Sequence, residues 1–424
     1  MSKNDIAWEQ IFDAHKILGK VTANGHVFID AKDINKFREA RLMTKFDHRS
    51  QLPHLFADNN LSILPVSRGG YVIGDFNTFH NFEDSTTGII KVSAPTFLES
   101  LDFSTITSEA TAINCAFVSR ILNDFTGEED LYPTINGRMS SSIFNFDISA
   151  KLGLFKVNVS NSQLEIDGGF EGSNSLNIIE AKNYISDDFL IRQLYYPYKL
   201  WAGKVRKVVR PIFLTYSNGV FHLREYAFDD PTHYNSVRLV KEGKYSIQHT
   251  VINIQMVQEI LSSVKTVPEP QIPFPQADSF KRIINLAELV KEKGTLTKEE
   301  ITTNYDFTSR QTDYYSNALA YLGLLTTIRD NGQVAVTLTE TGQNLFNLSI
   351  DSRQLEFIKL ILSHSAFQKT LQQYFASGII PIPNEIVAIM KRANLYRVNE
   401  ESTFYRRAST ITGWINWIIS VIEE

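Results

Sequence analysis

Between Val267 and Pro275 the chain reads Val-Pro-Glu-Pro-Gln-Ile-Pro-Phe-Pro, four of its 13 prolines within nine residues. Proline has no backbone N–H and its ring fixes φ, so no helix or inner strand runs through this stretch. It is the clearest division in the chain, and 266–276 is expected to be an extended linker. A softer break falls at Asp84-Ser-Thr-Thr-Gly88, where a polar cluster separates two apolar-rich regions. At 424 residues the chain has room for two or three domains. The expected division is 1–90, 91–265, 277–350 and 351–424. Hydrophobic residues at 43% and charged residues at 21% exclude a disordered or fibrous protein. Lys and Arg number 42 against 47 Asp and Glu, a net charge of −5. Contact with a polyanion must therefore come from local basic patches rather than bulk charge. The one cysteine, Cys115, excludes a disulfide framework and a cysteine zinc site within the chain, and its neighbours Ile113, Ala116 and Phe117 predict a buried thiol. No run of 18 apolar residues and no signal-like apolar stretch in MSKNDIAWEQ are present, so a cytoplasmic protein without a membrane partner is expected.

The fold class expected is α/β in the α+β sense: a mixed sheet flanked by helices, with a front module and a helical C-terminal part. The front module opens with a helix over Asp5–Leu18 and carries strands at Leu61–Pro65 and Gly70–Ile73. Between them Lys32–Arg49 is moderately basic, and Arg38, Arg41 and Lys45 are candidates for phosphate contact, although a solvated helix face accounts for the same charges. The second region starts with a helix after Ser108. Strands follow at Ser142–Ile148, Leu154–Val159, Gln163–Asp167 and Leu176–Ala181, then a helix over Asp188–Trp201 and a strand over Val208–Tyr216.

The stretch that carries chemistry is Glu165-Ile-Asp167 followed, across Gly168-Gly169 and Gly172-Ser173-Asn174, by Glu180-Ala-Lys182. Side chains alternate along a strand, so Glu165 and Asp167 are expected to point one way and Glu180 and Lys182 to share a face. The glycines read as turn chemistry that lets the two strands pair as neighbours. Pairing would bring Asp167, Glu180 and Lys182 to one edge, where two carboxylates suit Mg²⁺ and a lysine can orient a nucleophile or neutralise a phosphate. Solvent-facing charges on an edge hairpin would have the same sequence. The next helix carries Gln193 and Tyr196, and Lys199, Lys204, Arg206, Lys207 and Arg210 follow with no acid among them. A basic run beside a carboxylate site suits a polyanionic substrate.

Asp167…Glu180-Ala-Lys182 resembles the PD-(D/E)xK nuclease motif, with Ile166 where the motif name has proline. Gln193-x-x-Tyr196 resembles the accessory glutamine motif of some of its branches. Across about 91–265, and more loosely over the flanking regions, the chain is similar to type II restriction endonucleases. The resemblance implies a PD-(D/E)xK core. In it Asp167 and Glu180 would be metal ligands, Lys182 the catalytic lysine, and Glu109 an accessory acid near the metal.

In the third region helices are expected over Ser279–Lys293 and Lys298–Tyr305, with a third capped by Ser309. A hairpin then turns at Asp330-Asn331-Gly332. Three helices and a hairpin are the order of a winged helix, a fold that binds DNA and also serves protein contacts. Arg310, Gln311 and Tyr314 at the start of the third helix and Arg329 near the wing tip are the expected DNA contacts. The segment 351–424 is helical and reads as a second module of this kind, with Arg406 and Arg407 facing phosphate. The expectation is a site-specific, Mg²⁺-dependent double-strand DNA endonuclease, acting as a homodimer beside a cellular methyltransferase without a stable complex. A non-catalytic winged-helix regulator and a modification- or structure-dependent nuclease are the alternatives.

Overall fold

The computed structural model describes residues 3–247, 251–330 and 332–422. Helices and sheets mix throughout in an α+β arrangement. In the N-terminal unit the helices Lys3–His15 and Ile17–Asn24 precede β1 (His26–Asp30), β2 (Ser62–Pro65) and β3 (Gly70–Gly74), which form an antiparallel sheet of order β1-β3-β2. Trp8, Ile11 and Phe12 from one helix face pack with Phe46, Phe56, Ile63 and Ile73, an apolar burial that holds the small sheet. Leu190, far along the chain, sits in this same core.

The following strands are β4 (Phe79–Asn81), β5 (Ile89–Lys91), β6 (Tyr132–Ser140), β7 (Ile143–Ala150), β8 (Gly153–Ser160), β9 (Gln163–Glu171) and β10 (Ser175–Lys182). They continue with β11 (Asp188–Leu190), β12 (Val208–Ser217), β13 (Val220–Phe228) and β14 (Val237–Ser246). Seven of them form one mixed sheet in the order β5-β14-β13-β12-β10-β9-β6, with β10 parallel to β12 and β14 parallel to β5. The Glu109–Val118 helix covers one face, with Ile113 and Cys115 packed against Ile179, Ala181 and Ile212. The Arg192–Ala202 helix covers the other, with Leu194, Tyr195 and Tyr196 packed among Leu176, Ile178 and Phe213. A strand buried on both faces cannot alternate apolar with polar, and every residue of β10 is buried.

Three local expectations change. Gly168 and Gly169 lie within β9, opposite Ile179 and Ile178, rather than in a turn. A Cβ on Gly169 would stand 2.7 Å from the Ile135 Cβ of β6, so glycine there admits the neighbouring strand. The helix expected from Asp188 begins at Arg192, because Asp188–Leu190 pair as β11 with β4. Thr308, not Ser309, caps the helix Ser309–Tyr321, its hydroxyl accepting from Gln311 N–H and the Gln311 side chain accepting from Thr308 N–H.

Beyond the proline-rich stretch come the helix Phe280–Lys293, β15 (Thr295–Thr297), the helices Lys298–Asn304 and Ser309–Tyr321, β16 (Leu325–Asp330) and β17 (Gln333–Leu338). Their sheet has the order β15-β17-β16. Asn331, part of the expected hairpin turn, lies outside the described residues. Helices Ile350–Leu362, Ser365–Ser377, Pro383–Arg392 and Glu401–Ser420 complete the unit. One hydrophobic core runs from Phe274 through Leu286 and Phe357 to Trp414 and Ile418. Among the described residues no helix is long and apolar enough to cross a membrane.

The three units meet at Asp306. Its carboxylate accepts from Ser50 Oγ at 2.6 Å and Asp187 N–H at 2.8 Å, and lies 3.4 Å from Arg282 Nη2. Arg282 Nη2 also reaches Asp187 Oδ1 at 2.7 Å. Nearby, Gln51 Nε2 donates to the Thr303 carbonyl at 2.9 Å.

Candidate active site

The end of β10 lies inside the sheet between β9 and β12, and its Glu180 and Lys182 are buried rather than set at an edge. Glu180 and Lys182 share the β10 face that carries Leu176 and Ile178, the face under the Arg192–Ala202 helix. Lys182 Nζ donates to Glu180 Oε1 at 2.6 Å. Gln193, in the first turn of that helix, gives its Nε2 hydrogen to the same Oε1 at 2.8 Å. On β9 the regular pairing with β10 runs as far as Gly168 and Ile179. Just beyond, the Asp167 carboxylate replaces the main chain, Oδ2 accepting the Ala181 N–H at 2.9 Å. Ser108 caps the helix Glu109–Val118, and Glu109 Oε1 lies 3.8 Å from Lys182 Nζ.

Three carboxylates act on this lysine, those of Glu180, Glu109 and Asp47, the last from the N-terminal unit, whose Oδ1 accepts from Gln193 Nε2 at 3.3 Å. Burial pushes the Glu180 carboxyl up to about 8, with Asp167 adding to the rise and Lys182 opposing it. Burial likewise raises Glu109. For Lys182, burial works to lower its pKa, but Glu180, Glu109 and Asp47 together hold it well above the usual lysine range. The cluster therefore carries a fixed ammonium and more carboxylate than one cation balances. No three His, Cys, Asp or Glu side chains are grouped for coordination among the described residues. The carboxylates of Asp167 and Glu180 are of the hard oxygen type that Mg²⁺ takes, one or two at a time beside water and substrate oxygens.

Lys182, Glu109 and Asp47 border a cleft of about 900 Å³. Arg38, Arg41 and Lys45 line it from the N-terminal unit, and Glu299, Glu300 and Thr303 line it from the C-terminal unit. The other expected contacts are placed elsewhere. Glu165 pairs with Arg138 of β6 at 3.3 Å and is more than half exposed. The β6–β9 ladder is irregular just beyond it, with Ile135 opposite Gly169 but Gly137 opposite Ile166. Tyr196 is buried among Phe144 and Phe146, its hydroxyl donating to the Pro65 carbonyl at 3.0 Å, away from the carboxylates.

The basic run after Tyr196 does not flank Lys182. Ser175 stands opposite Val208 and Lys182 opposite Thr215, so Lys204, Arg206 and Lys207 lie at the far end of the sheet, roughly 20 Å away at strand rise. Lys207 is paired with Glu171 at 2.6 Å, Lys199 donates to the Pro231 carbonyl at 3.0 Å, and Lys204 lies over the Trp201 ring. Arg210 is held by Glu225 in the sheet. In the C-terminal unit Gln311 is engaged in its own helix cap, while Arg310 stacks on Tyr314. Neither these residues nor Arg406 and Arg407 are among those that line the cleft. Arg329 is exposed on β16.

Sequence reading missed Asp47 and Tyr184. Asp47 sits among Lys45, Phe46, His48 and Arg49, and nothing in the linear chain ties it to position 180. Tyr184 follows Lys182 by two positions; its ring is buried and burial raises its hydroxyl well above the usual range.

Three family models match successive stretches of the chain, each described as a domain of unknown function: DUF6996 over 5–73, DUF6997 over 74–246 and DUF7226 over 282–423. The middle match holds Asp167, Glu180, Lys182 and Gln193, the first holds Asp47 and the third holds Asp306. No curated protein and no solved structure matches the chain.

Proposed function

We propose that this chain is a Mg²⁺-dependent double-strand DNA endonuclease, a type II restriction enzyme whose seven-stranded unit is a PD-(D/E)xK core and whose residues 277–350 form a winged helix. The observation that carries the reading is the convergence of Asp167 from β9 with Glu180 and Lys182 from β10, closed by the Gln193 amide, beside a cleft with Arg38, Arg41 and Lys45 on its wall.

Asp167 and Glu180 would hold a divalent cation, which would supply polarisation of the scissile phosphate and a bound water of lowered pKa. Lys182, kept protonated by its carboxylate neighbours, presents a fixed positive charge to the phosphate as negative charge develops there. Gln193 and Lys182 both bond Glu180 Oε1, which orients that carboxylate and leaves Oε2 outside both bonds. The Arg38–Lys45 wall supplies sequence-independent attraction to the DNA backbone. Cutting both strands with one such site per chain calls for two copies, and protection of the cell's own DNA calls for a methyltransferase of the same specificity. Both point to the cytoplasm.

The test is cleavage of phage and plasmid DNA with Mg²⁺ or EDTA. Discrete Mg²⁺-dependent fragments are expected, and Lys182→Ala should lower the rate at least about a hundredfold. Asp167→Asn is the cleaner second variant, because its amide oxygen still accepts the Ala181 N–H that Asp167→Ala would orphan. Wild-type cleavage by Lys182→Ala overturns the reading, as does intact DNA across methylated and unmethylated panels.

A further inference from the structure

We infer that Asp47, supplied by the N-terminal unit, is a positioning residue for the catalytic Glu180–Lys182 pair, and that Lys45 links it to DNA held in the cleft. The inference rests on the nuclease reading and adds to it a route by which the front module governs the chemistry of the sheet.

The geometry is a short relay. Gln193 Nε2 donates to Glu180 Oε1 at 2.8 Å and to Asp47 Oδ1 at 3.3 Å, so one amide nitrogen serves acceptors from two units. The other end of that amide, Gln193 Oε1, is buried and has no hydrogen-bond partner among the described residues. Nothing on the oxygen side fixes the amide; Glu180 and Asp47 fix it from the nitrogen side. With Asp47 removed, the amide keeps only one of its two acceptors and is held by Glu180 alone, which loosens the group that Lys182 also holds.

Asp47 is itself firmly seated. Its N–H donates to Gln51 Oε1 at 2.6 Å, and its carbonyl accepts from Leu190 N–H at 2.8 Å. A change at the side chain therefore leaves the loop anchored. On the cleft side, Asp47 Oδ2 lies 3.8 Å from Lys45 Nζ, whose side chain is 74% exposed. A DNA phosphate in the cleft competes with Asp47 for this ammonium. Once Lys45 is drawn to phosphate, the Asp47 carboxylate is left to Gln193 and to the charge of Lys182. Substrate engagement at the front module thereby strengthens the hold on the catalytic pair.

The experiment compares wild type, Lys182→Ala, Asp47→Ala, Asp47→Asn and Lys45→Gln in single-turnover cleavage, with DNA affinity measured separately. Asp47→Ala is expected to lower the rate constant by about 10–100-fold, the usual loss when a group orienting a ligand carboxylate is removed, while DNA affinity does not fall, because Lys45 is then released to phosphate. Asp47→Asn retains an oxygen acceptor for Gln193 and should recover most of the rate. Lys45→Gln should weaken DNA binding. A fall in amplitude at an unchanged rate constant would mark a folding defect and overturn the assignment. So would a wild-type rate in Asp47→Ala, or an Asp47→Asn as impaired as the alanine variant, provided Lys182→Ala is inactive. If wild type and Lys182→Ala behave alike, it is the nuclease reading that fails.

Discussion

His222 and Glu242 lie on neighbouring strands, β13 and β14, with His222 Nε2 and Glu242 Oε2 2.8 Å apart. The same carboxylate accepts from Ser85 and Thr87 hydroxyls at 2.6 Å each, tying the 83–87 segment to the sheet. Burial, aided by the charge of Arg224, lowers His222 to about 4 despite the carboxylate beside it. Burial opposes ionisation of Glu242 too, but the hydroxyls and His222 bring it down to about 2. Both groups bind protons more readily in the unfolded chain, so both destabilise the fold as pH falls. The loss from His222 should run from its ordinary 6.5 down to about 4, and that from Glu242 from 4.5 down to about 2. Urea titrations at several pH values check this: His222→Gln should flatten the decline between pH 6.5 and 4, and an unchanged slope would refute it. Cys115, buried against the sheet and pushed up to about 12 by that burial, has no comparable part in the acid range.

Helix Glu401–Ser420 carries Gly413 where it crosses the chain entering helix Phe280–Lys293. In most helices Gly→Ala stabilises by roughly 0.5–1 kcal/mol. Here the added Cβ would run into the main-chain carbonyl of Asp278, an atom that cannot swing aside as a flexible side chain would. The sign should reverse, with Gly413→Ala destabilising by about 1–3 kcal/mol and melting at a lower temperature; a higher melting temperature would show that the helices separate at little cost. The two glycines of β9 follow the same logic, since Gly169 lets Ile135 of β6 close on the strand that presents Asp167. Close approach thus positions one of the two candidate ligands.

Asp306 joins units whose matched domains are separate in sequence. Ser50, Asp187 and Arg282 all converge on its carboxylate, and the Arg282 guanidinium is largely buried. Removing one member of such a group leaves the others unpaired in a low dielectric. Asp306→Ala should therefore cost about 3–5 kcal/mol, seen as a lower urea midpoint or as separate transitions for the units. Asp229→Ala, which breaks the exposed pair with Arg238, should leave the midpoint where it was. Equal effects from the two would mean that the junction contributes no more than surface charge. Because Asp47 sits beside this junction, loosening it should also lower cleavage more than DNA binding.

Much was legible in the chain. The proline stretch, the short apolar runs of β2, β3, β7, β8 and β12, and the helical spacing of Ile283, Leu286 and Val290 depend on neighbours within a few residues, and those elements are present. Asp167, Glu180, Lys182 and Gln193 could be singled out because they fall on two successive strands and the helix after them, in a spacing that resembles a known motif. Other features depended on contacts that spacing does not encode. β6, with Pro133 and Gly137, is a strand because β9 pairs with it, and β13 carries buried Arg224 and Glu225 that mask an apolar pattern. The place of the basic run was decided by the parallel pairing of β10 with β12, which sends Lys207 to the far end of the sheet from Lys182. Asp47 reaches Gln193 across 146 positions. Local periodicity follows from bond geometry and burial over a few residues, whereas a contact at that separation exists only once the N-terminal unit has docked on the sheet.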